Sequence, residues 1–168
     1  MFTGALAASH YGTPRTTMDV DVIIKATSEN MQTDLVSALK KAGLRVNEHK
    51  IKAALKSDYR IATIKDGKSP LAVDIILSDE KLDKKAGSIL GLPTFYQTPE
   101  DLILAKLRMI KVTVSKEKAS KDKEDIKAIL RFTKVNLAAI KRQARENSTL
   151  LILEAVVTDK TRRKKEAS

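Results

Sequence analysis

With 168 residues the chain is long enough to bury a core, and with no cysteine it has no thiolate for a disulfide or a zinc site, so any metal must be held by oxygen or by its two histidines. Its charge is uneven: residues 1–84 hold 13 Lys and Arg against 11 Asp and Glu and residues 85–168 hold 19 against 10, so the second half carries +9 of the net +11 and suits a polyanionic partner such as a nucleotide or RNA. No apolar run has membrane-spanning length and no secretory leader is visible, so a soluble, cytoplasmic protein without a membrane partner is expected.

Residues 5–11 are alanine-rich and predict a helix, which Gly12-Thr13-Pro14 breaks. Residues 18–25 follow as a strand. Side chains alternate across a strand, so Asp19 and Asp21 point to one face while Val20, Val22 and Ile24 point to the other. Two like charges held side by side are unfavourable for folding alone, and Mg²⁺ is the natural countercharge for such a pair.

Ser28 is the expected N-cap of a helix over 29–42, in which Met31, Leu35, Val36, Leu39 and Ala42 have helical spacing and Gly43 supplies the stop. Leu44 to Val46 reads as a short strand and 49–56 as a short helix. Tyr59 to Lys65 and Pro70 to Leu77 flank Asp66-Gly67, which predicts two antiparallel strands joined by a tight turn. From residue 80 the pattern is helical, with no further strand predicted. Thr98-Pro99-Glu100-Asp101 combines a capping hydroxyl, a first-turn proline and two acids at the positive end of a helix dipole. Further helices are expected at 119–133, 136–146 and 148–158, and Lys160 to Ser168 reads as a basic, disordered tail.

Two further features carry chemistry. In the run from Leu71 to Leu77, the residues Leu71, Val73, Ile75 and Leu77 share a face and leave Asp74 on the other, so a neighbouring Asp19–Asp21 strand would bring three acids together. Without that neighbour, Asp74 is an edge-strand surface aspartate. Lys106 falls inside the apolar arc of the helix that Thr98 starts, where a lysine needs an inward partner or must reach solvent with its tip. The same projection of 119–133 places Asp122 among Ile126, Ile129 and Leu130, with Asp125 at the edge of that arc. Arg15, four residues before Asp19, is placed to bind phosphate or to screen the carboxylates. His10 and His49 show no ligand spacing.

Gly4-Ala5, separated by thirteen residues from Asp19-Val20-Asp21-Val22 and followed later by Val73-Asp74-Ile75, resembles the nucleotidyltransferase superfamily of the DNA polymerase β type. Ala7-Ala8-Ser9, Gly12, Pro14-Arg15-Thr16-Thr17 and the run from Pro99 to Leu107 are more specifically similar to the small prokaryotic AbiEii-type and minimal nucleotidyltransferases, with the resemblance covering about residues 3–131. It implies an α+β fold with a small mixed or antiparallel sheet flanked by helices; with the helical pattern downstream, the expected divisions are a nucleotidyltransferase core over 1–92, a C-terminal helical lobe over 93–158 packed on it, and the tail over 159–168. It also implies Mg²⁺-dependent transfer of NMP from an NTP to an acceptor hydroxyl, on an RNA 3′ end such as that of tRNA, a protein or a small molecule, and a place in a toxin–antitoxin system.

By the same resemblance Asp19 and Asp21 would be metal ligands, with Asp74 the third acid and general base. The backbone of Gly4 and Ala5 would approach the triphosphate, and Lys106 with Asp122 or Asp125 would line the site. The family usually has Gly-Gly or Gly-Ser where Gly4-Ala5 stands; alanine keeps the backbone N–H for phosphate but supplies no hydroxyl. The alternative reading is a catalytically weak member that binds RNA or a partner protein. Whether the chain forms an oligomer is left open.

Overall fold

The β-branched run after Met18 becomes β1 (Asp19–Lys25), and it pairs in parallel with β3 (Ala72–Ser78), which pairs antiparallel with β2 (Ile61–Lys65). The structure is a computed structural model of the chain. It describes residues 1–166 except Thr13, Glu29, Tyr59 and 66–69, with side chains described as far as Thr158. It is α+β: among the described residues there are seven helices, this mixed three-stranded sheet and a two-stranded one. None of the helices is long and apolar enough to cross a membrane.

Contacts divide the chain into two units, Met1–Leu6 with Thr16–Gln97, and Ala7–Arg15 with Thr98–Ser168. Sequence placed the division at 92/93 and kept the early helix with the sheet. The difference has a local cause. Helix α1 (Gly4–Tyr11) hands its second half to the helical unit, where the Tyr11 carbonyl accepts a 2.6 Å hydrogen bond from the Thr133 hydroxyl and Gly12 lies against Ala128.

In the first unit, α2 (Met31–Lys41) and α3 (Glu48–Lys56) cover one face of the three-stranded sheet. Leu35, Val36, Ile51 and Ala54 pack there against Ala62, Ile64, Ile75 and Leu77, so each strand spends its alternate apolar positions on this core. That leaves Asp19, Asp21, Asp74 and Thr63 on the opposite face. The cap of α2 is Asn30 rather than the predicted Ser28, whose hydroxyl instead accepts from the Asn30 N–H at 3.2 Å, and the helix starts at Met31. Leu44–Val46 is not a strand: the segment runs straight from the α2 stop at Gly43 (φ +78°) to the Asn47 cap of α3, too short to find a partner strand.

A larger departure follows residue 80, where sequence predicted helices alone. Lys84–Ile89 (β4) and Leu92–Gln97 (β5) form an antiparallel hairpin. Its turn holds Leu90 at φ +50° and Gly91 at φ +80°, and alternation along β4 is masked by Lys84, Lys85 and Gly87, which explains why its period did not show. Ahead of α1, the N-terminal residues link the two sheets through isolated bridges. Phe2 bridges Val22 of β1 and Tyr96 of β5, through hydrogen bonds from the Phe2 N–H to the Phe95 carbonyl (2.8 Å) and from the Thr3 N–H to the Asp21 carbonyl (2.9 Å).

The second unit is built from α4 (Pro99–Val112), α5 (Lys116–Phe132), α6 (Leu137–Glu146) and α7 (Leu150–Glu166). As the sequence predicted, the Thr98 hydroxyl caps α4 by accepting from the Asp101 N–H, at 3.3 Å. Leu102, Ile103, Leu107, Ile126, Ile129, Ile140 and Leu153 make its core. The backbone of α7 is helical to Glu166, through most of the segment expected to be a disordered tail; five bases in that stretch do not stop a helix already nucleated by the packed turn at Leu153 and Val156.

Candidate functional site

Three acids occupy one face of the three-stranded sheet because the strand register puts them there. The parallel pairing sets Asp21 directly opposite Asp74, with Asp19 two residues earlier on β1, and the antiparallel pairing sets Thr63 opposite Asp74. Side chains of partnered residues stand on the same side of a sheet, so Asp21, Asp74 and Thr63 form a row across three strands. This is the neighbour relation that the isolated Asp74 needed.

The connection between β2 and β3 is longer than the sequence suggested. Lys65 pairs with Ala72, leaving six residues between the strands where the predicted bounds left four, and Asp66-Gly67 lies outside the described residues. Proline at position 70 has no N–H for the ladder, which moves the start of β3 to Ala72, whose N–H donates to the Met18 carbonyl at 3.1 Å. This shift in register is what brings Thr63 beside Asp74. Its hydroxyl donates to Oδ1 of Asp74 at 2.6 Å, a length typical of a charge-assisted O–H···O⁻ bond.

Gly4 is held to glycine twice over. Its φ is +59°, a left-handed conformation that a side chain disfavours, and a Cβ there would lie 1.9 Å from Oδ2 of Asp21. The sequence assigned Gly4 to a close approach of a triphosphate. In the structure the group that fills the space beside it is the Asp21 carboxylate, at the start of α1. A helix N-terminus is a favourable place for a carboxylate, because the first-turn N–H groups point out of the helix. Ala5 is buried.

The chemistry of the donor set suits Mg²⁺. Mg²⁺ characteristically takes one or two protein carboxylates and fills its octahedron with water and substrate phosphate oxygens. Asp21 and Asp74, partners across the β1–β3 ladder, meet that requirement. Among the described residues no group of three or more His, Asp or Glu side chains comes together closely enough to hold a metal. Asp19 sits at the exposed start of β1, where the Thr17 hydroxyl organises the turn by accepting from the Asp19 N–H (3.2 Å) and donating to the Asp19 carbonyl (3.1 Å). No ion pair reaches Asp19 or Asp74 among the described residues.

The other predicted residues meet in the helical unit. Lys106 is 5% exposed, and its ammonium lies 2.8 Å from Oδ1 of Asp122 and 2.7 Å from Oδ2 of Asp125. The inward partner that its position demanded is therefore two carboxylates, one turn apart on α5. Sequence ranked Asp122 as the deeper of the two. The structure reverses that order, with side-chain exposures of 20% for Asp122 and 7% for Asp125. Arg15 closes the cluster with a bidentate grip on Asp125, Nε to Oδ1 at 3.0 Å and NH2 to Oδ2 at 2.9 Å. Two cations and two carboxylates thus neutralise one another, and Arg15 spends its fork on a protein carboxylate.

His10 is exposed and stacks edge-on to Tyr11 at 4.9 Å between centroids, consistent with a surface helix position. Thr63 was not singled out from sequence. Its only signal there is a threonine inside a β-branched strand, which has no meaning until the register is known. No protein-family model matches this chain, and no curated protein matches it in sequence.

Proposed function

We propose that the chain is a Mg²⁺-dependent nucleotidyltransferase that moves NMP from an NTP to an acceptor hydroxyl. The observation that carries this reading is the pairing of Asp21 with Asp74 on adjacent parallel strands, with Asp19 on the same face and the start of α1 beside Asp21. Two adjacent carboxylates with exposed surroundings have the charge to hold a divalent cation that in turn holds a polyphosphate. When bound, Mg²⁺ would neutralise the triphosphate and stabilise the pyrophosphate leaving group.

In the reaction the acceptor oxygen bonds to the α-phosphorus, the bond from that phosphorus to the bridging oxygen breaks, and pyrophosphate leaves. The acceptor proton passes to a base. Asp74, which with Asp21 would hold the cation, is also the carboxylate suited to receive it, and Asp19 adds negative charge on the same face. Most of the work assigned to the protein is positioning, which the rigid three-strand register provides. The basic second half of the sequence suits an RNA acceptor through phosphate attraction.

Calorimetry with MgATP, MgGTP, MgCTP and MgUTP tests the reading. The parent should bind at least one, and Asp21→Asn and Asp74→Asn should each weaken that binding at least about tenfold, the scale expected for loss of a metal-holding charge. A parent that binds none of the four refutes an active enzyme and leaves a binding module. Label transfer from each NTP to cellular RNA or protein then identifies the acceptor.

A further inference from the structure

We infer that Thr63 is the positioning residue of the carboxylate pair: it fixes the rotamer of Asp74 and so sets the affinity of this face for a divalent cation. The inference rests on the proposed reading of Asp21 and Asp74 as the cation-holding pair. Three observations carry it. The 2.6 Å bond from the Thr63 hydroxyl is the one hydrogen bond to the Asp74 carboxylate among the described residues. It engages Oδ1 alone, so Oδ2 keeps its lone pairs for a ligand. Thr63 stands directly opposite Asp74 in the β2–β3 ladder, in the row that continues to Asp21.

The chemistry explains why a threonine serves here. Its β-branch stiffens the side chain and favours the strand, so the hydroxyl is delivered at a fixed angle at little entropic cost. A carboxylate held this way loses less rotamer freedom when the cation arrives. Thr63 is itself exposed, so replacing it removes the hydroxyl without opening the core.

Mn²⁺ binding by the full chain tests this directly, with free Mn²⁺ followed by its electron paramagnetic resonance signal and no nucleotide present. Asp74→Asn serves as the reference, and thermal melts confirm that each variant is folded. Thr63→Val, which keeps the shape, and Thr63→Ala should both weaken Mn²⁺ binding about tenfold, while Thr63→Ser, which keeps the hydroxyl, should stay within about threefold of the parent. Parent-like affinity in Thr63→Val and Thr63→Ala beside weakened Asp74→Asn overturns the role of Thr63 and leaves the carboxylate pair standing. Thr63→Ser as weak as Thr63→Val also overturns it. A parent that binds Mn²⁺ no better than Asp74→Asn overturns the cation-holding pair itself, and the inference with it.

Discussion

Replacing Lys106 with methionine removes a buried ammonium and keeps most of its volume, so the effect isolates charge from packing. Lys106 is 5% exposed, with Asp122 and Asp125 at 2.8 and 2.7 Å. Removing one partner of a buried ion pair costs about 3–5 kcal/mol, chiefly because the other charge stays buried without compensation. Two features place this case near the lower end. Asp122 keeps 20% side-chain exposure and can rehydrate, and Asp125 retains both hydrogen bonds from Arg15. The expected loss is therefore about 3 kcal/mol, which corresponds to a fall in melting temperature of roughly 6–12 °C for a chain of this size. Urea titration followed by far-ultraviolet circular dichroism, together with a thermal melt, measures it. A companion variant carrying Lys106→Met, Asp122→Asn and Asp125→Asn has no uncompensated carboxylate, and Arg15, with 34% of its side chain exposed, can turn to water. It should recover most of the loss. A Lys106→Met loss below about 1 kcal/mol, or a triple variant no more stable than the single one, refutes the buried-charge argument.

Two other substitutions probe backbone geometry. Gly4→Ala should destabilise by more than about 1 kcal/mol, since alanine must adopt φ +59° and its Cβ meets Asp21. The same change in an Asp21→Ala background should cost less, and a double-mutant cycle by chemical denaturation reads the difference; equal costs in both backgrounds show that Asp21 does not press on Gly4. Leu90→Asn should stabilise by up to about 1 kcal/mol, because asparagine accepts the left-handed region better than leucine. Leu90 is 99% exposed at φ +50°, so no packing is lost, and a melt that falls shows that the side chain has a stabilising contact.

What could be read in advance divides along the length scale of the interaction. The face of β1 that carries Asp19 and Asp21, the Thr98 cap and the inward demand of Lys106 each depend on residues within a few positions, where period and capping chemistry act. The β4–β5 hairpin was hidden because its alternation is interrupted by lysines and glycine and its turn places leucine where asparagine is usual. Among the acids, the sequence could say that Lys106 needed a partner; which carboxylate lies deeper depended on how α4 meets α5.

The sequence alone determined that two carboxylates share one face of a strand, because a two-residue period leaves no choice. That Asp21 faces Asp74, that Thr63 holds Asp74, and that Asp21 fills the space beside Gly4 were decided by strand register and by the meeting of α1 with β1. Register is set by which apolar positions are buried against α2 and α3 and by where Pro70 allows a ladder to begin, and those are contacts between residues far apart in the chain.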